Sequence, residues 1–244
     1  MTRCSRRDTQ IGVLTQKLRL MRQFFSSLRK RGIWRTLRIS IFEIYYEYKF
    51  GTDTLYIIPT EQLDGTADAK VHATDYFPSS YLILHQAFSW LGETCRDGVL
   101  VDYGSGMGRT LMYASTIPLK RLIGIEISKE LCAIASKNLD RLYGRSKRNR
   151  PPWSIINSDA RFFDLPEDAN LFYLFNPFDA VVVRQVIDRI LVSTRTVPRK
   201  CTVIYANPLH GSEFASRGFT EVFRQNDDFA VFQLYLEARG SART

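Results

Sequence analysis

Histidine and cysteine are scarce in this 244-residue chain, and where they stand excludes whole classes of chemistry. Three His are scattered along it, and Cys4, Cys95, Cys132 and Cys201 form no CxxC pair. The sequence therefore shows neither a metal site nor a disulfide framework. Long apolar runs are missing as well. None approaches the ~20 residues that span a bilayer, and the N-terminus carries charge without an apolar signal core. A reducing cytoplasmic location is the expectation, peripheral at most to the inner face of the membrane. No internal repeat or low-complexity block interrupts the chain, which is long enough for one α/β domain with a sizeable core and an appendage.

Acids are short in one region only. Residues 1–50 contain 12 Lys or Arg against Asp8, Glu43 and Glu47, a balance of +9, while residues 51–244 contain 22 of each sign. Within the appendage Leu14, Leu18, Met21, Phe25 and Leu28 recur at helical spacing. After Gly32, Ile33, Leu37, Ile41, Ile44 and Tyr48 do the same. Both series predict amphipathic helices with Arg19, Arg22, Arg29, Lys30, Arg31, Arg35 and Arg38 outside the apolar stripe. The first expectation is that these helices pack their stripes on the main domain and leave a basic face in solvent. Docking on an anionic membrane surface through residues 1–50, helped by Phe24, Phe25 and Trp34, is an alternative, and nucleic-acid contact is another.

The most informative stretch is 99–110, VLVDYGSGMGRT. A run suited to a buried strand ends in a turn with Gly104, Gly106 and Gly108, and Glu126 closes a second apolar run, RLIGIEIS, 22 positions after Gly104. Strand, glycine turn and helix bring backbone N–H groups close to a ligand, and an acid at the tip of the next strand can hold both hydroxyls of a ribose. A dinucleotide fold usually spaces its glycines GxGxxG; here the third comes one residue early.

With Asp102 one residue before it, this GxGxG resembles the first motif of the class I S-adenosylmethionine (SAM) methyltransferases. The resemblance covers about residues 76–236. It implies that Gly104, Ser105, Gly106 and Gly108 pass beside the methionine part of SAM, that Asp102 orders the turn from behind, and that Glu126 holds the ribose. Asp159, followed by Ala160 in WSIINSDA, would meet the adenine amino group. The buried-strand run of 170–179, NLFYLFNPFD, breaks at Asn176, Pro177 and Phe178, where the family has its catalytic loop. Members that methylate amino groups often carry Asn or Asp, two prolines and an aromatic; this chain has a single proline, Pro177, at that place. FGTDT, YFPS, DYGSGMGR, GIEIS, SDA and FNPF together resemble a bacterial group likened to Dot1-type histone lysine methyltransferases. YFPS, with Tyr76, is similar to an element that precedes the SAM motif in some lysine methyltransferases.

The chemistry of such a loop follows from the reaction. A methyl group leaves a sulfonium by in-line attack, so the acceptor must be held about 3 Å away and stripped of water. An amine must be neutral with its lone pair aimed at the methyl; the Asn176 side-chain carbonyl and the Pro177 backbone carbonyl can each accept an N–H bond, and Phe178 can pack on the acceptor. No general base is evident, which suits proximity and desolvation.

The remaining pattern predicts helices at 109–117, 128–143 and 180–192, a buried strand at 200–206, and a hairpin of 218–224 with 229–236 around QNDD. Pro78 and Ser79 open a helix at 80–91, a segment such enzymes use as a lid. The expected fold is α/β: a Rossmann-like, seven-stranded, mostly parallel sheet with an antiparallel last strand plus an N-terminal helical appendage. The expected organisation is an appendage at 1–50, a connecting segment at 51–75 and the methyltransferase domain at 76–244. A protein lysine or similar amine is the preferred acceptor. An RNA or DNA base, a small molecule or an envelope component is the alternative, and a SAM- or nucleotide-binding regulatory module is the non-enzymatic one.

Overall fold

The computed structural model describes residues 32–52, 54, 55, 58, 64, 77–145, 149–175 and 178–235. Five strands form the parallel part of the sheet: β1 (Val99–Tyr103), β2 (Arg121–Glu126), β3 (Trp153–Asn157), β4 (Leu171–Phe175) and β5 (Lys200–Ala206). The hairpin strands β6 (Thr220–Gln225) and β7 (Phe229–Tyr235) complete it. The order is β3-β2-β1-β4-β5-β7-β6, with β7 antiparallel to both its neighbours.

Burial follows position in that order. Every residue of β1 is buried, and so are the first four of β4, because strands covered on both faces need apolar side chains on both. Edge strands β3 and β6 are far more exposed, and β6 carries a bulge between Glu221 and Phe223 that interrupts its register.

Helices cover the two faces. On one lie α1 (Ile33–Phe50), α2 (Tyr81–Leu91), α3 (Arg109–Ala114) and α4 (Lys129–Gly144), around Phe50, Tyr81, Leu84, Leu111 and Leu139. On the other, α5 (Ala180–Thr196) and the short α6 (Ser212–Ala215) pack Val183, Val186, Ile190 and Phe214 against the sheet. The β-branched run of α5 is held helical by its cap, since the Asp179 carboxylate accepts from the N–H groups of Val181 and Val182. Helix α4 begins at the expected serine: Ser128 Oγ accepts from Leu131 N–H at 3.2 Å. Helix α3 stops at Ala114, three residues before the expected end. Ser115 and Thr116 turn their hydroxyls back onto the carbonyls of Met112 and Tyr113, and Pro118 follows.

Two expectations need correction. The 80–91 segment is a core helix: seven of the eleven α2 residues are buried, among them Tyr81, Leu84 and Phe88. Helix α1 forms where the second series predicts it, but its apolar stripe faces away from the domain. Ile33, Leu37, Ile41, Ile44 and Tyr48 are all exposed, whereas Thr36, Glu43, Tyr46 and Phe50 are buried. The inward face is chosen by an ion-pair cluster and by aromatic packing. Tyr46 stacks on Tyr81 with ring centroids 5.0 Å apart, and Glu43 reaches a buried arginine. The first series, Leu14 to Leu28, lies outside the described residues.

Candidate cofactor site

The sheet order reverses between β1 and β4, so the crevice beyond the carboxyl ends of these two strands is the natural ligand position of such a fold. The glycine turn rises there. Gly104, Gly106 and Gly108 have φ of 73°, 52° and 83°, a region that side-chain-bearing residues rarely adopt. Gly104 and Ser105 both donate their N–H to the Ile125 carbonyl, which bends the turn over the end of β2. Glycine serves close packing at two further points. A Cβ on Gly108 would lie 3.2 Å from Ala135 Cβ on α4, and one on Gly124 would lie 2.7 Å from Ser105 Oγ.

Glu126 meets this turn directly. Its carboxylate accepts from Gly106 N–H at 2.9 Å and from Ser128 N–H at 3.0 Å, which joins the turn after β1 to the start of α4. Burial raises its pKa above the ordinary carboxylate value, and these N–H bonds oppose that shift. Two accepted bonds leave lone pairs on the same carboxylate for the hydroxyls of a ligand. From the connecting segment, Asp64 adds a second carboxylate, bonded to Ser128 Oγ and to Lys129 N–H at 3.0 Å. Ile58 packs nearby on Met107 and Leu131.

Beneath the turn, Asp102 is buried and its Oδ2 has no hydrogen-bond partner among the described residues. Burial first, then the charge of Glu126, pushes its pKa to about 8, with the Thr110 hydroxyl opposing. Asp102 thereby ties β1 to α3. Ser105 Oγ is likewise buried without a partner among the described residues. After β3, Asp159 accepts from Arg161 N–H at 2.9 Å and pairs with the Arg161 guanidinium at 2.7 Å. Ala160 is buried, so only its backbone can serve a ligand. Phe178 is half-buried against the core on the α5 side. Asn176, Pro177 and Tyr76 lie outside the described residues.

One functional group escaped sequence reasoning. Arg109, the first residue of α3, is buried and donates to Glu43 Oε2 at 2.5 Å, Glu47 Oε1 at 2.7 Å, Thr54 Oγ1 at 2.9 Å and the Ser79 carbonyl at 2.9 Å. Its guanidinium lies 4.3 Å from the Tyr81 ring centroid, and Glu43 also accepts from Tyr81 N–H. This cluster clamps α1 and the residues before α2 to the glycine turn. The available signal was that Glu43 and Glu47, one helical turn apart, are the only acids in α1.

No family model matches the chain, and a search of curated proteins finds no match. Solved structures do. A SAM-dependent methyltransferase from Aquifex aeolicus is similar at 12% identity, with 63% of this chain and 89% of that one covered and a TM-score of 0.46. An RNA methyltransferase from Salinibacter ruber, solved with S-adenosyl-L-homocysteine, is similar at 18% identity over 65% and 92% of the two chains, TM-score 0.45. Magnesium protoporphyrin IX methyltransferase from Synechocystis gives 11% identity, 62% and 80%, and 0.43. The fold is Rossmann-like. Its β7, inserted antiparallel between β5 and β6, departs from the 3-2-1-4-5-6 order of the dinucleotide-binding fold.

Proposed function

We propose that this chain is a SAM-dependent methyltransferase acting on an amine nitrogen, of a protein lysine or a similar group. The observation that carries the reading is the bond from Gly106 N–H to Glu126. It joins the glycine turn of β1 and the terminal acid of β2 in one crevice, within a sheet that ends in an antiparallel hairpin. The residues fit the cofactor: three left-handed glycines leave the turn open to close approach, Ser105 offers a buried hydroxyl without a partner among the described residues, and Glu126 keeps lone pairs for a ribose. SAM, when bound, supplies the electrophilic methyl group.

The chain's own residues then bind, orient and desolvate. Glu126 and Asp159 would fix the nucleoside, and the turn from Gly104 to Gly108 the amino-acid part. Asn176 and Pro177 would accept N–H bonds from a neutral amine, and Phe178 would pack on its carbon frame and exclude water. No residue in this reading removes a proton in the transfer step, so the amine must arrive neutral and the rate should rise with pH as more of it deprotonates. The preference for an amine rests on the two N–H acceptors that Asn176 and Pro177 offer and on the similarity of YFPS to an element of some lysine methyltransferases.

Asn176→Ala is the direct test, with transfer of radiolabelled methyl from SAM followed in extracts of protein, RNA and lipid. The reading expects label in protein, turnover reduced at least ~100-fold in the variant and SAM affinity changed less than ~3-fold. Label appearing only in RNA or lipid would replace the acceptor, and full turnover by the variant would remove Asn176 from the mechanism.

A further inference from the structure

Seven large apolar side chains of α1 point into solvent: Ile33, Trp34, Leu37, Ile41, Ile44, Tyr45 and Tyr48, from 40 to 87% exposed. At 3.6 residues per turn they share an arc of about 120° with no polar residue inside it. Arg38 and Lys49, also exposed, continue that arc along one edge. Lys49 Nζ lies 5.4 Å from the Tyr45 ring centroid. The two acids of α1 are turned inward onto Arg109, so the outward face bears no carboxylate. Just before the helix, residues 1–31 hold nine Lys or Arg and one acid.

Position gives this face its meaning. Arg35 pairs with Asp228 in the β6–β7 turn, and Phe229 pairs with Ala206 at the carboxyl end of β5. Farther along, Glu43 and Glu47 hold Arg109 beside the glycine turn. Helix α1 therefore runs past the sheet edge at which the candidate cofactor crevice opens.

We infer that the outward face of α1 is a docking surface for an anionic lipid bilayer. An interfacial helix needs an apolar face, aromatic residues at headgroup depth and cations along its border, and α1 has all three. No described helix is long and apolar enough to cross a membrane, so the contact lies in the interface plane. Four of the seven side chains are aliphatic, and Trp34 stands about three helical turns from Tyr45, so the face lacks the run of adjacent aromatic planes on which successive nucleic-acid bases stack. An isologous contact between two copies would bring two +9 appendages together.

Flotation of the full chain with phosphatidylcholine vesicles, with and without phosphatidylglycerol, tests the inference, alongside the double variant Ile41→Glu, Ile44→Glu. The expected result is binding to anionic vesicles in physiological salt, at least ~10-fold weaker in the double variant, whose thermal midpoint stays at the wild-type value because both side chains are solvent-exposed. Vesicles should also shift tryptophan emission to the blue, and Trp34→Phe should abolish the shift while binding persists. The inference fails if neutral and anionic vesicles bind alike or if the double variant binds as wild type does. It also fails if the double variant loses several degrees of thermal midpoint, which would mean that residues 1–31 cover the face. A dimer that the double variant splits, or binding to RNA with vesicles ignored, would overturn it too.

Discussion

Gly124 shows how much a single position contributes to the site. A Cβ there would fall 2.7 Å from Ser105 Oγ and 2.8 Å from Ile155 Cδ1, so Gly124→Ala must push Ser105 out of the turn or β3 away from β2. It should cost ~1–3 kcal/mol in denaturant unfolding and weaken SAM binding in titration, whereas the same change at Gly144, with nothing within 4 Å, should do neither. Asp102 makes a different prediction. Its pKa of about 8 lies above the ordinary carboxylate value, so the folded chain holds a proton there that the unfolded chain has released. The associated stability is complete below the unfolded value of ~4 and is lost as pH rises through about 8. Thermal midpoints should therefore fall from pH 5 to about pH 8 and level off above it, and Asp102→Asn should flatten that slope; an equally steep slope in the variant would show that Asp102 is ionised in the folded chain.

Among the elements, α1 depends most on one residue. Removing the Arg109 guanidinium leaves Glu43 and Glu47 facing each other with little solvent, so Arg109→Ala should destabilise the chain by ~3–5 kcal/mol and raise amide exchange along α1. The exposed pair Lys120 and Asp168 serves as control, and Asp168→Ala should change stability by less than ~1 kcal/mol. A loss of similar size in both variants would mean that the clamp does not hold α1. This helix also marks the limit of what periodicity conveys. The 3.6-residue spacing of Ile33, Leu37, Ile41 and Ile44 correctly indicates a helix, but an amphipathic stripe cannot say which neighbour it meets. The answer depended on a partner 62 residues beyond Glu47. Strands β1, β4 and β5 were legible because unbroken apolar runs bounded by turns allow little else, and Ser128 marks the start of the helix after β2. The inward face of α1, the Arg109 clamp and the reach of Asp64 to α4 all join segments distant in sequence, and no local pattern encodes them.

For the molecule as a whole, charge and chemistry are divided between two parts of the chain. All of the net +9 lies in residues 1–50, and the neutral remainder carries the sheet, the glycine turn and Glu126. The Arg109 clamp is the bridge between them, so a surface event on α1 has a direct physical path to the crevice. The central claim remains that the crevice binds SAM, and isothermal titration of the full chain with SAM and S-adenosylhomocysteine, with NAD as control and Glu126→Ala alongside, tests it most directly. The account predicts micromolar binding of both sulfur compounds, no heat with NAD, and a loss of ~10-fold or more in the variant, the cost of removing a charged acceptor. No binding of either sulfur compound, or tighter binding of NAD, would contradict it.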